Sequence, residues 1–405
     1  MTAVSVRDLE LPKFSDAVAD RDEMLQQLRE AREQHWLAKA PMGYIIVRYE
    51  DVVATLRDQR FHSASASGPP MPGDTDGYLQ KLPKSIVASE GDAHTRLRRL
   101  VSPAFTPKAA DALRPFMRDT LNRLIDPLSE RGRGELFADI CVPYPVQVIC
   151  ELLGAPGEDW QLFSDWATDV FRKYDGNLER DLPLIKRAHE ELGVYVRAMI
   201  DERRQAPRGD LLSQLIAAEE QGDRLTNAEL VTMVETILTA GTDTTRNQLG
   251  SCIAILTEHP EQWKLLGEHP ELAPQAVEEC MRYVGSLRGT LRLASEDIVY
   301  RDVLFPQGTL VFTSAVGANM DPEMWELPET FDITKKRDTP QLTFAWGIHF
   351  CLGASLARAE LQEALVLLSR RMPDLGTDAP VEWKPSRVGI WGPSKLPLHF
   401  RPDVP

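Results

Sequence analysis

Cysteine is scarce in this chain: there are five in 405 residues, Cys141, Cys150, Cys252, Cys280 and Cys351, and no two form a Cys-x-x-Cys pair. So few, and odd in number, they support no disulfide framework and point to a reducing compartment, the cytoplasm. A run of about 18 apolar residues is also missing, so no transmembrane helix is expected. The opening stretch MTAVSVRDLELPKF lacks the basic-then-apolar order of a secretory signal. Positive charge is in deficit, with 46 Lys and Arg against 61 Asp and Glu and a net charge of −15. That surplus would repel the phosphates of nucleic acid and of an anionic membrane surface. No Gly-x-Ser-x-Gly elbow occurs, which excludes the usual serine hydrolase.

What remains is an ordinary globular composition, 43% apolar and 26% charged, large enough to enclose a bulky cofactor. Helical periodicity dominates. Thr226-x-x-Glu229 forms a capping-box signature, and Leu230, Met233, Val234, Ile237 and Leu238 follow at helical spacing. The pattern runs through Leu249 and Ile253 and stops before Pro260, about thirty residues or about 45 Å. A second helix is predicted after Pro274 and a third from Leu352 to Met372. Strand-like alternation is sparse, at Gly43–Val47, Leu291–Ala294, Leu310–Thr313 and Leu396–Phe400. Residues 62–90 read as a long Ser/Gly/Pro-rich loop, and 319–343 as an ordered meander. With no repeat, linker or composition break, residues 1–405 are expected to form one mainly helical (α+β) domain with a small β portion.

The most informative segment is Phe344-Ala-Trp-Gly347-Ile-His349-Phe-Cys351-Leu-Gly353. A thiolate ligand to haem iron favours O–O cleavage. It needs backbone N–H donors from a Gly-containing turn, an apolar screen such as Phe344, and the positive end of a following helix. Gly353 would let that helix start lie against a flat ring. A lone cysteine in such a turn reads as a buried hydrophobe, but five fixed positions in ten residues do not.

On these residues the chain resembles the cytochrome P450 family of soluble bacterial-type haem-thiolate monooxygenases, over roughly residues 40–400. In the long helix, Ala240-Gly241-Thr242-Asp243-Thr244 can be read from the residues alone as a solvated face with a local kink. The resemblance instead implies an oxygen-binding groove, with Thr244 steadying dioxygen and Asp243 delivering protons. Glu279-x-x-Arg282 has the spacing of a surface pair, whereas the resemblance implies a buried scaffold network. Haem b carries two propionates and needs separated cationic donors. His94 and Arg98, one helical turn apart, Arg292 and His349 fill that role by resemblance.

The same resemblance implies a P450 fold and electrons from NAD(P)H through a separate ferredoxin and ferredoxin reductase. Lys335, Lys336 and Arg358 are the docking cations it suggests. Substrate-facing positions would be Thr236, Thr239 and Ala240, then Leu287, Arg288 and Thr290, then Ile390 and Trp391, under a lid made by 62–90 and 167–182. Arg288 would meet an acidic or polar substrate, or else turn to solvent or to a propionate. The chain departs from the family in Met320 where an arginine is usual, in Ala345 for a glycine, in Ser286 for a proline, and in Lys335 and Lys336 near a usual arginine. A small-molecule substrate, no nucleic acid, no membrane and a monomer complete the expectation. The rival readings are a peroxide-driven peroxygenase and a haem-binding sensor or carrier without turnover.

Overall fold

A computed structural model describes residues 3–15, 20–69, 71–220, 225–384 and 389–401. Position 70 of the expected lid lies outside them. Among the described residues, twelve helices have nine or more residues: α1 Arg21–Gln34, α2 Tyr49–Arg57, α3 Gly91–Val101, α4 Arg114–Ser129, α5 Pro143–Leu153, α6 Trp160–Phe171, α7 Leu178–Gln205, α8 Leu211–Glu220, α9 Asn227–Thr257, α10 Pro260–Glu268, α11 Ala273–Tyr283 and α12 Ala354–Arg371. The architecture is mainly helical, as expected. No helix among the described residues is long and apolar enough to cross a membrane.

Helix α9 starts where its sequence says it should. The Thr226 hydroxyl accepts from the Glu229 N–H while the Glu229 carboxylate accepts from the Thr226 N–H, which satisfies two otherwise orphaned donors. The helix then runs 31 residues and lies against α5, α6, α7 and α11. Helices α11 and α12 begin within two residues of the predicted starts. Proline in the first turn of α11 supplies a preset φ at a position whose N–H needs no partner.

The largest sheet has five strands: β1 Leu37–Ala40, β2 Gly43–Ile46, β3 Phe61–Ser63, β4 Gly289–Ala294 and β5 Leu310–Ser314. Their order is β1-β2-β5-β4-β3. Only β2 and β5 pair in parallel; the other neighbours are antiparallel. The register sets Ser63 opposite Arg292 and Thr290 opposite Thr313, so this sheet delivers Arg292 beside the start of the 62–90 loop. A helical core and a smaller cluster under the sheet hold the two portions.

The 62–90 segment has more structure than its composition suggests. It includes single turns at Ala64–Ser67 and Tyr78–Lys81 and a short 3₁₀ turn at Ile86–Ala88. Tyr78 and Leu79 pack on Leu178, Leu182 and Ile185 of α7, and Asp76 pairs with Lys186 at 2.5 Å. The two segments expected to form a lid therefore touch.

Candidate functional site: the cysteine loop and the long helix

Cys351 lies at the end of a tight loop leading into α12. Its N–H donates to the Phe344 carbonyl at 2.9 Å, and Phe344 is buried against the ring of Phe350. Gly347 has φ +73°, and a Cβ there would stand 2.1 Å from the Leu56 carbonyl oxygen. Only glycine fits that turn. Ala345, which stands for the family's glycine, also takes a left-handed φ of 57°. Burial pushes the Cys351 thiol pKa up, against the opposing pull of the Gly353 N–H and the guanidinium charges of Arg98 and Arg358. The free thiol is thus neutral, and a coordinating metal ion is what would deprotonate it.

Helix α9 packs against α12, the helix into which the cysteine loop leads. Between Leu230 and Leu256 its residues are buried at every position but five: Glu235, Thr236, Ala240, Gly241 and Thr244. Thr236, Ala240 and Thr244 recur every fourth residue, which makes a half-open stripe on one side of a buried helix. The solvated-face reading fails, because Thr242 and Asp243 are 0% and 3% exposed. The Thr244 hydroxyl bonds back to the Ala240 carbonyl at 2.8 Å, as a threonine within a helix can. The Asp243 carboxylate is paired with Arg246 one turn on, and Arg246 also donates to Thr168 of α6 at 2.9 Å. Thr239 is buried and bonded to the Glu235 carbonyl, so it lies off the stripe.

Residues 146–371 match the family model for cytochrome P450. The chain belongs to the cytochrome P450 family. It is 35% identical over 404 residues to luteothin monooxygenase of Streptomyces thioluteus, covering 98% of each chain. With nocardicin C N-oxygenase of Nocardia uniformis subsp. tsuyamanensis it shares 36% identity over 364 residues, 88% of this chain and 89% of that one. The crystal structure of CalO2 superposes with a TM-score of 0.88 at 29% identity, covering 97% of this chain and all of that one. The protein is a P450 monooxygenase, with haem b as cofactor and reducing equivalents reaching it from NAD(P)H through redox partners.

The residues around Cys351 fit that haem. A Cβ placed on Gly353 would meet nothing within 4 Å, which leaves the start of α12 open to a flat ring. Arg292 is 4% exposed, yet among the described residues it forms no ion pair; its one bond is to the neighbouring Leu291 carbonyl at 3.3 Å. Burial lowers its pKa to about 10, despite the nearby Glu90. A buried, uncompensated guanidinium of this kind is what a propionate would neutralise. His94 is buried with its ring edge-on to His349, 4.6 Å between centroids, and burial depresses its pKa.

Other expected site residues sit differently. Arg98 donates to the carbonyls of Ile348 and Phe350 at 3.1 and 2.7 Å, so it braces the cysteine loop itself. His349 engages the Glu90 carboxylate at 3.0 Å. Gly241 serves packing: a Cβ there would lie 2.8 Å from Ile149 of α5. Arg288 neither reaches solvent nor stands free for a substrate. Its guanidinium stacks 4.4 Å above Trp391, which in turn stacks on Trp383 with centroids 4.3 Å apart. Leu287 bridges Ile390 in antiparallel register, and both are half-buried. The Thr290 hydroxyl is bonded to that of Thr313 at 2.9 Å.

Glu279 and Arg282 form a scaffold pair, each side chain 1% exposed, bonded at 2.7 and 2.8 Å. Arg282 also donates to the Pro328 and Thr330 carbonyls of the meander. The second arginine of this network is Arg337, at 2.7 and 3.0 Å from Glu279, not Lys335 or Lys336. Met320, in place of an arginine, lies with its sulfur 3.7 Å from Arg282.

Sequence reasoning passed over Arg337, Arg246 and Glu90. One of these carries a local signal: Arg246 is three residues from Asp243, a one-face spacing on a helix.

Proposed function

We propose that this P450 oxidises a small, mainly apolar organic molecule held between the half-open stripe of α9 and the Leu287–Ile390 pair. The observation that carries this is the stripe. In a helix otherwise buried from Leu230 to Leu256 except at Glu235 and Gly241, Thr236, Ala240 and Thr244 are half-exposed along one side. Cys351 would hold the haem iron through its thiolate, and His94, Arg292 and the loop residues Phe344, Gly347 and Gly353 would hold the ring. When bound, haem supplies the reductive activation of dioxygen.

The chain's own residues do the rest. The Thr244 hydroxyl, tethered to the Ala240 carbonyl, keeps a proton donor on the stripe at a fixed height. Asp243, one position earlier and paired with Arg246, collects protons from the α6 side and passes them toward Thr244. The buried wall formed by Trp391 and Arg288 excludes water from the far end.

The electron donor in this reading is a ferredoxin with its reductase, meeting a monomeric, single-domain, cytoplasmic protein. Lys335 and Arg358 are already paired with Glu326 and Glu278. Lys336 is exposed and makes no ion pair among the described residues, so it leads the docking cations. Reduction of Lys336→Glu by ferredoxin at an unchanged rate would remove it from that role.

The test is an optical titration of the purified haem protein against terpenoids, steroids, fatty acids and aromatic acids. A low- to high-spin shift with apolar members is expected, as is a red-shifted thiolate band for the ferrous–CO form. Loss of that band in the wild type would overturn the assignment. Thr244→Ala should keep the spin shift while oxygen consumption runs ahead of product. Tight coupling in that variant would refute the role of Thr244.

A further inference from the structure

Glu90 stands where three parts of the molecule meet. It closes the 62–90 segment and precedes α3, to which it contributes the carbonyl bonded by the His94 N–H. One carboxylate oxygen, Oε1, accepts from the Ser63 N–H at 2.6 Å and from the His349 ring at 3.0 Å. Ser63 is the last residue of β3 and opens the lid segment. The two ends of the lid, 27 residues apart in sequence, are thus closed on each other by Oε1, and that oxygen is also tied to the cysteine loop. Ser63 pairs with Arg292 across the sheet, and Arg292 feels the Glu90 charge. The middle of the lid is anchored on α7 by Tyr78, Leu79 and the Asp76–Lys186 pair.

We propose that Glu90 is a positioning residue that fastens the base of the substrate lid to the cysteine loop, so that lid closure and haem retention depend on the same carboxylate oxygen. The physical case is one of sharing. Charge-assisted hydrogen bonds are about twice as strong as neutral ones, and here a single anion holds a strand end and an imidazole together. With the carboxylate gone, the Ser63 N–H would lose its bond to the far end of the lid, while the Tyr78–Leu79 turn would stay on α7. His349 would lose the partner that orients its ring against His94, and the loop around Cys351 would be held by Arg98 alone on that side. The inference rests on haem lying beside Cys351, a reading that the wild-type spectrum tests separately.

The experiment compares holoprotein variants by two readouts: haem transfer to excess apomyoglobin, and amide hydrogen exchange resolved by peptide. Glu90→Ala should raise both the haem-loss rate and the exchange of residues 64–89 at least fivefold, with α9 unchanged. Glu90→Gln keeps an acceptor for the Ser63 N–H, so lid exchange should stay within twofold of wild type while haem loss rises. His349→Ala leaves the Ser63 bond in place and should raise haem loss alone. The proposal is overturned if Glu90→Ala leaves exchange at 64–89 within twofold of wild type. It also falls if exchange rises evenly over the whole chain, as general destabilisation would produce, or if haem loss does not change.

Discussion

Replacing Glu279 by glutamine tests the scaffold with little change in volume. The Glu279 carboxylate takes four bonds of 2.7–3.0 Å from Arg282 and Arg337, and their side chains are 1% and 10% exposed. Glutamine would remove the anion, aim an amide N–H₂ at one of the two guanidinium groups, and strand both cations away from water. Breaking a buried pair in this way costs about 3–5 kcal/mol. An unfolding entropy of about 2.1 cal/mol/K per residue over 405 residues gives roughly 850 cal/mol/K, so a loss of about 4 kcal/mol lowers Tm by about 5 °C.

Glu278 is the internal control, one residue earlier on the same helix. It pairs with Arg358 at 2.5 Å, but the two side chains are 39% and 34% exposed, so Glu278→Gln should cost less than about 1 kcal/mol. Burial alone would raise the Glu279 pKa, but the two arginines hold it below the usual carboxylate range. The stability it confers is therefore present above the unfolded carboxyl pKa and lost as pH falls through the folded one. Urea melts followed by circular dichroism should show the gap between the two variants closing toward acid pH. A loss under about 1 kcal/mol for Glu279→Gln at neutral pH, or a gap that widens on acidification, would refute the reasoning.

Burial lowers the His189 pKa to about 4, with Lys173 adding to the effect, so its folded form resists a proton that the unfolded chain takes up near 6.5. At about 1.4 kcal/mol per pH unit, acidification from 6.5 to 4 should remove up to about 3 kcal/mol. His189→Phe, beside Tyr78, should flatten that slope in pH-dependent melts. Gly241→Ala drives a methyl onto Ile149 and should cost about 1–3 kcal/mol as overpacking. Adding Ile149→Ala should return part of the loss, and strict additivity of the two would show that they do not meet. Gly347→Ala places a left-handed alanine, worth about 1–2 kcal/mol, against the Leu56 carbonyl. Haem content after purification should fall, and full haem loading would contradict the loop geometry.

The parts of this protein legible in its sequence are those whose causes are local. The capping box at Thr226 and Glu229 announces α9 because both partners lie within one turn, and the cysteine loop is readable because its turn, screen and ligand fit in ten residues. What depends on distant chain was not legible. The 62–90 segment looks irregular because its short turns are held by contacts with α7, with the sheet and with each other rather than by their own periodicity. Arg337 joins Glu279 from 58 residues away, across a meander that nearest-neighbour patterns do not describe. Arg288 reads as a reader of substrate charge, and its stacking on Trp391, 103 residues away, is a contact that no local pattern announces. His349 and Arg98 read as cations for propionates, while in the fold Glu90 and the backbone also engage their ring and guanidinium nitrogens.

The five cysteines have one more consequence. Cys141, Cys150, Cys252 and Cys280 are buried, and Cys351 is half-buried inside its loop. Four of the five thiols are therefore shielded from a probe, and the fifth is the one the cysteine loop holds. A single cysteine introduced on the Tyr78–Lys81 turn, and a second on the exposed side of α7, could carry spectroscopic labels without first stripping the chain of its own. Distances across the lid could then be followed in solution in the otherwise unaltered enzyme.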